Sequence, residues 1–270
     1  LESAFCVNET VIYETMYYVR LNAINYRNIA GQDTNMLKVT FLDHSGFLTE
    51  FEDAYFLFDY YKGDLPKFDS DKKMYVFVSH SHYDHYRKDI FKLRKEFAEI
   101  VFILSSDIPL EKNAAEGVDE REILQMNPGE QQAIGAAKIQ TLRSTDEGVA
   151  FLVEYDGKTI YHAGDLNWWH WEGEPEEENA EMGRAYREEI DKIQGRQIDL
   201  AFIPVDSRLE KQYCWGLDYF MRHTDTKLVF PMHFWGDYKI FDQLAVEKCA
   251  QEYANKIVRI EKAGQIFEIE

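Results

Sequence analysis

The sequence predicts an α/β (α+β) protein, because strand-like and helical segments interleave along most of the chain. Continuous apolar runs, such as "KMYVFVSH" and "EIVFILSS", are typical of buried strands. Residues Lys88–Ala98 place apolar side chains at intervals of three and four, which is typical of a helix with one buried face. Interleaving of this kind implies sheets covered by helices.

The first segment differs in composition from the rest. Residues 1–35 are rich in Tyr and Asn and carry no clear turn signal, whereas from Met36 onward turn signals and strand-like runs alternate. We expect residues 1–35 to be an N-terminal extension, either an accessory segment or a stretch outside the folded domain. We expect residues 36–270 to form a single domain, and a chain that starts at Met36 to fold with an unchanged site.

The elements of this domain follow in order. Strands are predicted at Lys38–Leu42 and Tyr55–Tyr60, followed by the two buried strands and the helix named above. Residues 120–144 read as short strands and turns, and Asp156–Gly157 is the tight turn of a hairpin. The remaining predictions are a helix at Glu176–Gln194, a strand at "IDLAFIPVD", a helix at "WGLDYFMRH", a strand at "TKLVFPMHF", a helix at Asp242–Ala254 and closing strands after it.

Composition narrows the function classes. The 270 residues carry a net charge of −19, from 49 acidic and 30 basic residues. Such a balance argues against nucleic acid and anionic membranes as partners and favours a small-molecule substrate. The three scattered cysteines form no CxxC pair, and the sequence has no signal-peptide pattern and no long apolar run. We therefore expect a cytoplasmic protein without a membrane span; composition does not predict its oligomeric state.

Potential metal ligands cluster at the exit of a predicted strand. His80 and His82 are two residues apart, so in extended backbone both imidazoles point to the same side. Asp84 and His85 follow in the loop. Imidazole nitrogens beside a carboxylate oxygen suit Zn²⁺, or Mn²⁺ or Fe²⁺. We favour a metal site here over a polar loop with unrelated histidines.

This HxHxDH pattern resembles that of the metallo-β-lactamase-fold hydrolases, and further motifs follow in the family's order over residues 36–270. They are Asp59 at a strand end, Gly164–Asp165 after a hairpin, and Pro231–His233 after a later strand. The resemblance implies a four-layer αββα sandwich with the metals between the sheet edges. The lack of a secretion signal and of an inserted nucleic-acid-binding domain makes the sequence similar to the cytoplasmic, lactonase-like branch.

The resemblance also implies residue roles. One metal would be bound by His80 and His82, a second by Asp84, His85 and His233, and Asp165 would bridge them. Asp59 would support the metal loop. A bridging water would lose a proton to become hydroxide and attack an ester, lactone, amide or phosphate, with Asp84 orienting it as the catalytic carboxylate.

One expected ligand is missing. The family usually supplies a further histidine to the first metal, whereas this chain has Ser144 near that position and Asp146 two residues later. Either Asp146 becomes an oxygen ligand, or the first site is weak and "STDEG" is only a tight turn. A third reading is loss of catalysis.

Other polar and aromatic residues carry weaker signals. His162 precedes Asp165 by three residues and is expected near the metals or in a polar network, whereas His44 alone is a weak signal. Trp168, in "LNWWHW", either walls a substrate pocket with its neighbours or anchors the helix behind it. Arg208 is either an anion binder or half of a local ion pair with Asp206.

These observations predict a metal-dependent hydrolase with one or two divalent ions, which cleaves a small ester, lactone or phosphoester. The alternative is a non-catalytic or mononuclear metal-binding or regulatory module of the same fold. Fold alone does not name the substrate.

Overall fold

A computed structural model describes residues 36–110 and 117–269, and two β-sheets form the core of this part of the chain. The predicted N-terminal extension, residues 1–35, lies outside the described residues. One sheet has seven strands in the order β13-β1-β2-β3-β4-β5-β6. Its strands are β1 Leu37–Asp43, β2 Gly46–Glu50, β3 Ala54–Phe58, β4 Lys73–Val78, β5 Ile100–Ser105, β6 Ile123–Met126 and β13 Gln265–Ile269.

The second sheet has six strands in the order β12-β11-β10-β9-β8-β7. Its strands are β7 Gln131–Ile134, β8 Ala137–Arg143, β9 Val149–Tyr155, β10 Lys158–His162, β11 Gln197–Pro204 and β12 Asp225–Met232. The α-helices of the described residues are α1 Glu176–Asp191, α2 Trp215–His223 and α3 Ile240–Val246. The 3₁₀ segments there are Lys88–Lys95, Glu120–Glu122, Ser207–Gln212 and Cys249–Lys256. None of these helices combines the length and the apolar character that a membrane span requires.

The two sheets pack face to face through aromatic side chains. Phe47 of β2 stacks on Phe202 of β11, with ring centroids 4.2 Å apart, and Phe77 of β4 meets Phe151 of β9 at 5.3 Å. Large aromatic rings bury much apolar area in such a layer, so these contacts contribute strongly to the core.

Helical segments cover the outer faces of both sheets. Phe91, in the 3₁₀ segment Lys88–Lys95, packs against Phe102 of the first sheet, with ring centroids 4.9 Å apart. Phe220 of α2 stacks on Tyr161 of the second sheet at 4.8 Å. The result is the predicted four-layer sandwich, with the sheets in the two inner layers.

Strand direction brings chemically important loops to one edge. Strands β3 and β4 are parallel neighbours in the first sheet, and β10, β11 and β12 are parallel neighbours in the second. The carboxyl ends of parallel neighbours lie at the same edge, and loops at that edge are the usual place for ligands in α/β sheets. The candidate site residues follow these strand ends.

Candidate metal centre

Two groups of potential ligands lie together at this edge. One comprises His44, Asp84, His85 and His233, all buried, and the other comprises His80, His82 and Asp165. Within each group the potential ligand atoms lie within 4.8 Å of one another. We call them the buried group and the outer group, because the side chain of His82 is 42% exposed.

Asp165 lies between the two groups. Its Oδ1 atom is 3.2 Å from His85 Nε2 and 3.5 Å from His233 Nε2, whereas its Oδ2 atom is 3.6 Å from His80 Nε2. Each carboxylate oxygen therefore faces a different group, which is the geometry that a bridging ligand needs.

Asp59 and Ser79 orient two of the histidines. Asp59 Oδ2 is 2.8 Å from His85 Nδ1 and accepts a hydrogen bond from Ser79 Oγ at 2.6 Å. Ser79 Oγ in turn lies 2.9 Å from His80 Nδ1. With each Nδ1 atom held this way, the Nε2 atoms of His80 and His85 are left to face the centre, as in carboxylate–histidine–metal arrangements.

Asp206 has the same role toward His233. Its Oδ2 atom is 3.0 Å from His233 Nδ1, and the carboxylate is also paired with Arg208. Burial opposes ionisation of Asp206, but the hydrogen bonds from His233 and Arg208 lower its pKa to about 2. The sequence placed Asp206 at a strand end, but its pairing with His233 became visible only in the fold.

The two histidines that Asp59 and Ser79 orient differ in their protonation. Burial, followed by the charge of His85, lowers the pKa of His80 to about 4, so this imidazole is neutral and ready to bind a cation. At His85, burial disfavours the charged form, but Asp165 and the hydrogen bond to Asp59 raise its pKa to about 9. A metal bound there must displace a proton.

Several buried potential ligand atoms have no hydrogen-bond partner, which also indicates a metal site. Among the described residues, His85 Nε2, Asp165 Oδ1 and both ring nitrogens of His44 are buried without a hydrogen-bond partner. Buried polar atoms are normally satisfied, and leaving one unpaired costs about 1–3 kcal/mol. A divalent cation among these atoms would satisfy them together.

His162 is fully engaged elsewhere. Its Nε2 atom lies 2.9 Å from the Ser45 carbonyl oxygen, and its Nδ1 atom accepts from the Gly164 N–H at 3.1 Å. Burial is the main cause that lowers its pKa, so the ring is neutral. His162 therefore lies in the polar network behind the site, one of the two positions expected for it.

Asp146 lies beside the outer group without joining it. Its Oδ2 atom is 3.9 Å from His82 Nδ1, and its backbone N–H donates to Ser144 Oγ at 3.1 Å. Burial, followed by the charge of Asp165, raises the pKa of its carboxyl. The loop is therefore a tight turn, as one interpretation predicted, and it also holds the Asp146 carboxylate near the outer group.

A cavity of about 460 Å³ opens over the centre. It is lined by His82, Tyr83, Asp84, Thr145, Asp146, Asp165, Trp169, Trp171, Met182, Arg208, His233 and Trp235. Both ligand groups therefore border one space that a small molecule could fill.

Trp168 packs against the helix that follows it, which is one of the two roles considered for it. Its indole lies over α1, where a Cβ at Gly183 would come within 2.5 Å of Nε1, and the Arg187 guanidinium is 4.5 Å from its ring. Trp169 and Trp171, from the same stretch, line the cavity instead. Successive side chains of this loop point in different directions, so the sequence alone did not distinguish which tryptophans line the cavity and which pack on the helix.

Arg208 lies where it could act both as the ion-pair partner of Asp206 and as an anion-binding residue. Its guanidinium pairs with Asp206, and it also lines the cavity, 4.9 Å from the ring of Trp235 and 5.5 Å from that of Trp171. Sequence reasoning missed Trp235, although its position two residues after His233 was a usable signal.

The fold and the site together define a metallo-β-lactamase-type protein. The chain belongs to the family described as the beta-lactamase superfamily domain, whose model matches residues 38–233. A search of curated proteins gave no match.

Solved structures share the fold at low identity. Igni18, a metallo hydrolase from Ignicoccus hospitalis, is 17% identical with a TM-score of 0.56, over 87% of this chain and 99% of that one. YhfI from Bacillus subtilis, a metallo-beta-lactamase fold protein, is 15% identical with a TM-score of 0.56 over the same shares. CmlA from Streptomyces venezuelae, a diiron beta-hydroxylase, is 12% identical with a TM-score of 0.53, over 88% of this chain and 54% of that one.

Proposed function

We propose that this protein is a metal-dependent hydrolase that cleaves a small ester, lactone or phosphoester. The observation that carries the proposal is the pair of adjacent ligand groups, joined by Asp165, at the floor of one cavity. Bound divalent ions, Zn²⁺ or else Mn²⁺ or Fe²⁺, would lower the pKa of a coordinated water and polarise the scissile bond.

The chain's own residues supply the remaining functions. Asp84 lines the cavity and is a carboxylate at neutral pH, since the His44 imidazole 3.4 Å away and the charge of His85 outweigh burial and lower its pKa. It would orient the attacking water and hold its proton for the leaving group. Asp59 and Asp206 keep the ligating histidines in position.

Arg208 and its aromatic neighbours support an anionic substrate. The guanidinium reaches the cavity between Trp171 and Trp235, so an apolar body could lie against the rings while a carboxylate or phosphate meets the cation. The net charge of −19 favours such a small ligand over a nucleic acid. Cytoplasmic location remains part of this proposal.

The test is hydrolysis of lactones, esters and phosphoesters by metal-loaded protein beside its Asp84→Asn variant. We expect turnover that chelation abolishes and added metal restores, with a loss of at least about 100-fold in the variant. Metal binding without turnover of any of these substrates would favour the alternative, a binding or regulatory module.

A second arm tests the substrate's charge. Arg208→Met should raise KM for anionic substrates about 10-fold or more, because a charge-assisted hydrogen bond contributes about 1.5–3 kcal/mol, and leave KM for neutral esters unchanged. Arg259→Met, which removes an arginine that pairs with Asp242, is the matched control. An equal rise for both substrate classes would argue against anion recognition by Arg208.

A further inference from the structure

We propose that His44 is a ligand of the metal in the buried group, and that this position therefore binds metal before the outer one and more tightly. The inference rests on the proposed function only in requiring a metal at this centre. Nothing in the HxHxDH pattern points to His44, which lies 36 residues earlier in the chain.

The distances around His44 suit coordination. His44 Nε2 is 3.4 Å from Asp84 Oδ2, and its ring centroid is 4.2 Å from that of His233. Ligands at about 2.1 Å from a tetrahedral zinc are separated by about 3.4 Å. The contacts of Asp165 Oδ1 with His85 and His233, at 3.2 and 3.5 Å, fall in the same range.

Burying the polar ring nitrogens of His44 costs folding free energy unless a ligand binds them. Only 3% of the residue is exposed, and neither ring nitrogen has a hydrogen-bond partner among the described residues. The ring packs beside Trp235, with centroids 4.4 Å apart, a contact that an apolar aromatic residue would make without burying polar atoms. Aromatic packing alone thus leaves the choice of histidine unexplained.

The backbone holds His44 in this place. Its φ of 53° is in the left-handed region, which costs about 1–2 kcal/mol for a residue with a side chain. The turn is fixed from two sides: the His233 N–H donates to the His44 carbonyl at 3.2 Å, and His162 Nε2–H donates to the next carbonyl, that of Ser45. Strain of this kind, kept by surrounding contacts, is typical of functional sites.

The two groups differ in the ligands they offer. The buried group has three imidazoles and Asp84, and Asp165 Oδ1 borders it. The outer group has two imidazoles and Asp165, with His82 partly exposed and Ser144 where a histidine was expected. Because the buried position offers more ligand atoms, we expect it to bind metal more tightly than the outer position.

Metal titration of the full-length, metal-free protein tests this inference. Zn²⁺ binding is measured by chelator competition, and Co²⁺ absorption reports the ligands. We expect a tight step and a weaker step for the wild type. His44→Asn, chosen because Asn tolerates a positive φ, should weaken the tight step about 100-fold or more and change the Co²⁺ spectrum, with the weaker step kept.

Two further variants make the result specific. His82→Ala should remove only the weaker step. His223→Ala, which removes a histidine at the end of α2, should change neither step. Circular dichroism verifies that each variant is folded, and His44→Gln replaces His44→Asn should the latter not fold.

The outcomes separate this inference from the proposed function. A tight step retained by folded His44→Asn or His44→Gln overturns the role of His44 and leaves the hydrolase proposal standing. A wild type that binds no metal overturns both. Loss of the tight step in the His82→Ala variant, rather than in the His44 variant, would reverse the assigned order.

Discussion

One carboxylate, that of Asp59, orients two of the potential metal ligands. The Asp59 carboxylate holds His85 directly and His80 through Ser79. Burial opposes its ionisation, but the neighbouring His162 imidazole and the hydrogen bond from His85 lower its pKa to about 2. Asp59 has a φ of 41° and His233 a φ of 61°, so the backbone is strained where these residues are placed.

Asp206→Asn tests the support of His233. The substitution keeps the size of the side chain but removes the charge that faces His233 Nδ1 at 3.0 Å, and loss of such a partner typically costs 10–100-fold in metal affinity. We expect a decrease of about that size, measured by chelator competition. Asp199→Asn, at a carboxylate paired with Lys227, is the matched control. Equal affinities for wild type and Asp206→Asn would exclude this role.

Asp146→Ala tests the loop with the missing histidine. Because its carboxylate lies 3.9 Å from His82 Nδ1, we expect removal to weaken the outer position about 10-fold and leave the buried position unchanged. Zn²⁺ titration measures both steps, and Glu174→Ala removes an exposed acid as a control. Unchanged binding would mean that residues 144–148 form only a turn.

The loop between β8 and β9 packs tightly against Ser79, the residue before the potential ligand His80. A Cβ at Gly148 would come within 2.0 Å of the Ser79 carbonyl oxygen, whereas a Cβ at Gly157, in the β9–β10 turn, would meet nothing within 4 Å. Both glycines have a φ of +71°. Comparing alanine variants of these two glycines therefore distinguishes the cost of backbone strain, which they share, from the cost of close packing, which only Gly148 has.

Gly148→Ala should destabilise the protein more than Gly157→Ala does. The strain common to both is about 1–2 kcal/mol, and the clash with Ser79 adds about 1–3 kcal/mol. Urea unfolding of the two variants measures the difference, and metal affinity should fall only in Gly148→Ala because Ser79 precedes His80. Equal losses of stability would show that the β8–β9 loop accommodates the added methyl group without displacing Ser79.

Element predictions succeeded where pattern and turn chemistry agreed. The hairpin at Asp156–Gly157 and the helix Trp215–His223 are present as predicted. The predicted helix Lys88–Ala98 is instead a 3₁₀ segment, Lys88–Lys95, with no side-chain cap at Arg87. The predicted helix Asp242–Ala254 is divided, because Glu247 is extended and ends α3 before the 3₁₀ segment Cys249–Lys256 begins. The spacing of apolar residues located these helical segments but could not distinguish a 3₁₀-helix from an α-helix.

At the scale of the whole molecule, local features and the order of known motifs were predictable from sequence. The sandwich was predicted from the family resemblance that the order of motifs carries. The proximity of His80, His82, Asp84 and His85 was predictable because their spacing at a strand exit is a local property. His44 was only a weak signal and Asp206 was considered only beside Arg208, because the fold alone brings their partner, His233, to them. Side-chain direction in the tryptophan loop likewise depends on packing against α1.

Elemental analysis of the purified protein tests whether this edge of the sandwich is a metal centre. Metal-free protein is incubated with Zn²⁺, Mn²⁺ or Fe²⁺, freed of unbound ions and measured beside a His85→Ala variant. We predict one to two metal ions per chain for the wild type, and at least one fewer for the variant. If folded wild-type protein retained no metal, or if both proteins retained the same amount, this edge would not be a metal centre.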